Sequence, residues 1–235
     1  MTDTIDAVEK ALTSEQKETF DARVAREAAR LKHDIRNGKF DSDHVAVGLE
    51  LEAYVVDSNT RLAAAPATVF ELDGCSPELG VHNVELHTTP DAIGSDSGGQ
   101  GHGFRRQASE LHHICDSIRT HIDDADRTLV CDSLWTIPPE SGTDAYLRAG
   151  TTKRGIFCAE NVRPIPRYIA LNEVIREQSG GTVELGLPGL ATAPSMLVES
   201  LATSIQPHLQ IPDPRDVPAY LNAATRTMGP LLSLT

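Results

Sequence analysis

Two glutamates one residue apart stand in Gly48-Leu49-Glu50-Leu51-Glu52. In an extended strand residues two apart share a face, so Glu50 and Glu52 point together while Leu49 and Leu51 point away. Neighbouring carboxylates repel unless a cation sits between them. Their oxygens form the kind of cradle that Mg²⁺ occupies together with water and phosphate. For this pair alone, a solvated outer face of an edge strand is the plain alternative. Two further segments repeat the arrangement. Asn83-Val84-Glu85-Leu86-His87 puts Asn83, Glu85 and His87 on one side and Val84 and Leu86 on the other. Gln206, His208 and Gln210 alternate in the same way with Ile205, Pro207 and Leu209. Three such strands side by side would gather carboxylate, imidazole and amide groups on one polar face. That is the chemistry of a divalent-cation site in an enzyme that handles nucleotides.

Other elements must position those strands. The spacing predicts a helix over residues 14–36, with Ser14 as N-cap, Phe20, Val24, Ala28 and Leu31 near one stripe, and Asn37-Gly38 as its stop. Alternation predicts strands over 44–56, 81–89, 129–135 and 201–211. Helices are expected over 104–122, with Leu111, Ile114, Ile118 and Ile122 on one face, over 166–178 with Pro at the start, and over 216–228. Strands with one apolar and one polar face, not in strict βαβ rhythm, predict a mainly antiparallel α+β fold with an open polar sheet face. Ser95–Gly103 reads as a Gly-rich loop; no Lys-Ser/Thr follows it, so a phosphate loop is not indicated. His112, His113, Cys115 and His121 cluster on one helix, but that helix has an apolar face to bury and zinc needs four converging ligands. Trp135 reads as core.

The chain of 235 residues is 40% hydrophobic, enough to bury a sizeable core. Its net charge of −13 opposes a phosphate-backbone groove, so no nucleic-acid partner is expected. Five Lys stand against 16 Arg, and an Asp-rich, Lys-poor surface suits a protein kept soluble at high salt. No run of apolar residues is long enough to span a membrane, and the first residues lack the pattern of a signal peptide. Cys75, Cys115, Cys131 and Cys158 form no C-x-x-C pair and read as small buried hydrophobes in a reducing cytoplasm.

These segments also carry a family resemblance. VGLELEAYVVD resembles the opening strand of the glutamate–cysteine ligase family, type 2, shared with carboxylate–amine ligases, whose pattern is G-x-E-x-E. HNVELHTTP is similar to its next landmark, an N/Q-x-E-L strand ending in T-x-P. RPIPRYIAL resembles its P-R-Y segment, SIQPHLQI its strand with a site histidine, and NAATRTMGPLLSLT the helix beyond. The resemblance implies a fold shared with glutamine synthetase and the guanidino-kinase catalytic domain: a curved, mainly antiparallel sheet flanked by helices, here incomplete. It implies residues 1–40 as a helical extension and 41–235 as the N-terminal part of the catalytic domain. The implied reaction is ATP-dependent joining of the glutamate γ-carboxylate to the amine of cysteine, or another amine, through a γ-glutamyl phosphate, as in glutathione biosynthesis. The resemblance places Glu50, Glu52, Glu85 and His208 as ligands of roughly two or three Mg²⁺ ions, Arg167 as catalytic, and Asn83, Tyr168 and Gln206 as substrate-binding. The different-class alternative is a non-catalytic module, for ligand binding or subunit association, built on a truncated ligase fold. Leu231, Leu232 and Leu234 would then form an apolar end that another subunit, in a homo-oligomer, would cover.

The charge imbalance has a direct test. Net repulsion weakens as ions screen it, so molar KCl should raise the melting temperature. A melting temperature independent of salt would remove the high-salt reading.

Overall fold

The computed structural model describes residues 2–93, 102–123, 126–132, 134–187 and 190–233. Its spine is β1 (Val45–Asp57), a 13-residue strand that every other strand of a six-stranded sheet, save one, pairs with directly. Along one edge of β1 run β10 (Ile205–Gln210), opposite residues 46–51, and β5 (Arg127–Val130), opposite residues 54–57. Along the other run β4 (Asp91–Ile93) and β3 (Asn83–His87), and β2 (Cys75–Pro77) extends the sheet beyond β3. All these pairings are antiparallel, so the molecule combines helices with an antiparallel sheet.

The predicted alternation holds in the first half of β1 and fails in the second. From Gly48 to Glu52 apolar and polar residues take turns, but Ala53-Tyr54-Val55-Val56 is buried throughout. Ala53 and Val55 face a core completed by Val84, Leu86 and the helix α3 (His102–Asp123). Ile114, Ile118 and Ile122 of α3 all bury there, as their spacing predicts, each side chain contributing roughly 1.5–3 kcal/mol of transfer free energy. Tyr54 points through the other face into a second core with Leu62, Leu79, Trp135, Leu147, Tyr168 and Leu197. The polar face of the sheet is therefore open at one end of β1 only.

That second core is carried by α4 (Thr143–Arg148), α5 (Pro166–Gln178) and the 3-10 segment Met196–Leu201. Two small hairpins, β6 (Gly150–Lys153) with β7 (Ile156–Ala159) and β8 (Val183–Leu187) with β9 (Leu190–Ala193), flank it. At the start of the chain, α1 (Thr2–Leu12) is not a free extension. Its Ile5 and Val8 bury against Ile156, Cys158 and Ile169. By contrast α2 (Ser14–Arg36) and α6 (Val217–Leu232) bury no residue. The N-cap of α2 is Thr13, one residue before the one expected, with its hydroxyl accepting the Gln16 amide at 3.3 Å. The strand expected over 129–135 ends earlier, at Val130. The loop expected over Ser95–Gly103 lies, up to residue 101, outside the described residues, as does Leu234 of the expected apolar end. Among the described residues no helix is long and apolar enough to cross a membrane.

His82 ties the second core to the sheet. It is fully buried among Tyr54, Trp135 and Tyr146, with ring centroids 5.5 to 5.7 Å away. Its Nε2 lies 3.1 Å from the Ser200 carbonyl, which only accepts, so Nε2 carries the proton and Nδ1 accepts from the Tyr146 hydroxyl at 2.8 Å. The turn before it needs Gly80, because a Cβ there would lie 2.3 Å from Asn83 Oδ1 and 2.7 Å from His82 Cε1. Burial holds the His82 imidazole down at about 4, against an ordinary 6.5. The unfolded chain therefore takes up a proton near pH 6.5 that the folded chain refuses. Stability from this residue is complete above that pH and falls as pH drops toward 4, by about 3 kcal/mol in all. Chemical denaturation from pH 7 to 4 should show this slope in the native protein and lose it in His82→Gln. An equal slope in both would assign the acid sensitivity elsewhere.

Candidate functional site

The site is built by register. Glu50 pairs with Gln206 on one side and His87 on the other, Glu52 pairs with Glu85, and Gly48 pairs with His208. Directly paired residues project on the same face of a sheet. Glu50, Glu52, Glu85, His87, Gln206 and His208 therefore rise together from the open end of the polar face, as the three alternating segments predict. One residue of slip in β1 or β3 would have turned its set into the α3 core.

Each carboxylate has a partner. Glu50 Oε2 meets His208 Nε2 at 2.9 Å. Glu52 accepts from Gln206 Nε2 at 3.0 Å and from the Ser204 hydroxyl at 3.1 Å. Glu85 Oε1 accepts from the Ser76 hydroxyl at 2.7 Å. Gly48 leaves one patch of this face without a side chain, where Pro90 comes closest.

Two acidic residues join the cluster that alternation alone does not reveal: Glu78, in the loop after β2, and Glu199, in the 3-10 segment. The carboxyl of Glu52 is raised above the ordinary range, first by burial and then by the charges of Glu199, Glu78 and Glu85, against which the Ser204 hydrogen bond acts. Glu199 is raised as well, by partial removal from water and by Glu78. The region is thus strongly electronegative. Among the described residues, however, no three His, Cys, Asp or Glu side chains are gathered as a metal ion requires. The set Glu50, Glu52, Glu85 and His208 stands as a row of separately bonded pairs, and a cage is not formed. Its oxygen-rich chemistry suits Mg²⁺, and the neutral Ser and Gln donors on Glu52 and Glu85 are groups that a divalent ion can replace.

Arg167, in the first turn of α5, feels the charge of this row. Exposed Arg167 donates to the Tyr168 hydroxyl at 3.0 Å and stacks over that ring at 4.7 Å. Its guanidinium is held charged chiefly by Tyr168 and further by Glu78 and Glu85. Arg163, which no sequence pattern singles out, acts as a structural clamp. It donates to the carbonyls of Glu78 at 2.9 Å, Val81 at 3.3 Å and Asn83 at 3.0 Å, fixing the loop that enters β3. Asn83 and Tyr168, expected to bind substrate, are 3% and 8% exposed. Asn83 Nδ2 reaches only the Ser200 carbonyl, at 3.5 Å, and the Tyr168 ring belongs to the second core. Both side chains are thus largely withdrawn from solvent, Asn83 beside Ser200 and Tyr168 among Trp135, Leu147 and Leu197.

No family model and no curated protein matches the chain. A solved structure of glutamate–cysteine ligase from Francisella tularensis, in complex with AMP, is similar at 14% identity and a TM-score of 0.42. That similarity covers 80% of this chain and 30% of the ligase, so this chain spans under a third of that protein's length. A likeness at that level assigns neither family nor activity.

The electrostatics predict a measurable coupling. Glu199→Gln removes a charge near Glu52 but leaves its burial, so Glu52 should titrate at a lower pH than in the native protein and still above an ordinary glutamate. Carboxyl ¹³C NMR titration reads both values. An unmoved Glu52 midpoint would show that the charge of Glu199 does not reach it.

Proposed function

We propose that this polar face is the cation- and phosphate-handling part of an ATP-dependent carboxylate–amine ligase site of the glutamate–cysteine ligase type. The observation that carries the reading is the register that raises Glu50, Glu52, Glu85, Gln206 and His208 on one face, with Arg167 beside it. The sequence resemblance over the same segments supports it and supplies its finer terms, glutamate and cysteine as substrates.

Forming an amide from a carboxylate requires a better leaving group than oxide. Attack of the γ-carboxylate on the terminal phosphorus of ATP releases ADP and leaves an acyl phosphate; attack of the amine on that carbonyl then releases phosphate. Such transfer depends on positioning and charge neutralisation more than on covalent help from the protein. Bound Mg²⁺ would supply charge neutralisation on the phosphates. Glu50, Glu52 and Glu85 are the groups to hold it. Gln206 and Ser204 fix the Glu52 carboxylate in place before any ligand arrives, and the His208–Glu50 pair fixes its neighbour. Arg167 offers a planar fork for a carboxylate or phosphate.

Calorimetric titration of this chain with ATP in excess Mg²⁺ tests the reading. Native protein should bind, and Glu52→Gln, which keeps the shape and loses the charge, should bind at least about tenfold more weakly. Absence of binding to the native chain, or equal binding by the variant, would sink it. Phosphate release that requires both glutamate and cysteine would then identify the substrates.

A further inference from the structure

Among the described residues, the longest helix, α2, sends no side chain into a core. No residue of the 23-residue α2 is buried, yet Phe20, Val24, Ala28, Leu31 and Ile35 fall on one stripe of its 3.6-residue repeat. Phe20 and Leu31 are 65% and 50% exposed. An ion pair of Lys17 with Glu177 at 3.4 Å ties its start to α5. At its other end the stripe opens onto an apolar groove of about 260 Å³, lined by Leu31, Ile35, Phe40, Leu209 and Val217. Most helical stability in proteins comes from packing an amphipathic face, and an exposed apolar stripe marks a contact surface.

Charge identifies the cover. A chain of net charge −13 repels a second copy over most of its surface. Around this stripe the repulsion is weaker: α2 has six basic and five acidic side chains, β10 has no Asp, Glu, Lys or Arg, α6 carries only Arg226, and Asp41, Asp213 and Arg215 stand at the end near Ile35. The charges flanking the stripe are also self-complementary. Asp21 and Lys32 lie on one flank, while on the other Arg23 and Asp34 already pair with Glu27 and Lys39 of the same chain at 2.7 and 2.9 Å. In an antiparallel pair related by a twofold axis, each flank meets its own copy reversed. Phe20 then lies opposite Ile35 of the second copy, Val24 opposite Leu31, and Ala28 near the axis. Asp21 of each copy comes beside Lys32 of the other.

We propose that α2 is the self-association surface of this protein, pairing antiparallel with α2 of a second copy. The stripe supplies the buried area and the flanking charges set the register, as in coiled-coil pairs. The inference does not depend on the ligase reading.

Light scattering over a range of concentrations tests it. The native chain should approach twice its 25.4 kDa as concentration rises. Leu31→Asp, at an exposed position, should leave the circular dichroism unchanged and hold the protein monomeric. Lys32→Glu should weaken association at least about tenfold, and adding Asp21→Lys should restore it by reversing both partners of each pair. A native chain monomeric at the highest concentration reached would overturn the proposal. So would association indifferent to Leu31→Asp and Lys32→Glu, which would place the contact elsewhere. Failure of the reversed pair to restore association would overturn the antiparallel arrangement.

Discussion

Glu52 and Glu85 stand directly opposite one another across the β1–β3 ladder. Like charges so placed cost roughly 0.2–1 kcal/mol, and partial burial adds to the cost. What holds them there is the other side of the same two strands. Ala53, Val55, Val84 and Leu86 are fully buried against Ile118 and Ile122 of α3. Because the side-chain period of a strand is two, those residues cannot bury without turning Glu52 and Glu85 toward each other. The repulsion is softened locally: Ser204 and Gln206 donate to one carboxylate and Ser76 to the other. In the proposed ligase reading, a bound cation would relieve what remains of that repulsion.

The second core decides where this site ends. Past Glu52, the same face carries Tyr54, whose hydroxyl donates to the Leu201 carbonyl, and the layer of His82, Trp135 and Tyr146 lies over it. Arg163 clamps three carbonyls of the loop beneath. The site is thus rigid at one boundary and open at the other. There His208, 58% exposed at its side chain, meets Glu50 with solvent on one side.

The molecule distributes charge unevenly. Glu50, Glu52, Glu78, Glu85 and Glu199 crowd the polar face, while α2, β10 and α6 form a nearly neutral, apolar-rich surface. Pro207 sits within the outer strand β10, where a residue that donates no amide hydrogen bond discourages open-ended strand addition. Contact along helices remains available to this side of the protein.

Much of this arrangement was legible in the residues alone. Period-two alternation marked β1, β3 and β10 and sorted Glu50, Glu52, Glu85, Gln206 and His208 onto their polar sides. The 3.6-residue spacing of Ile114, Ile118 and Ile122 marked the helix that covers the opposite face. Alternation is unchanged by a shift of two residues, however, so it could not say that Glu52 meets Glu85 or that Glu50 meets His208. Tertiary pairing decided both. Loops and very short elements carry no readable period, which is why Ser76 in the three-residue β2, Glu78 and Arg163 in loops and Glu199 in the 3-10 segment escaped notice although they hold or charge the site. Nor does a pattern of one polar face reveal how far that face stays open. Asn83 and Tyr168 share the site's strands and segments, yet Asn83 is buried beside Ser200 and Tyr168 within the second core, and only packing between distant parts of the chain could decide that.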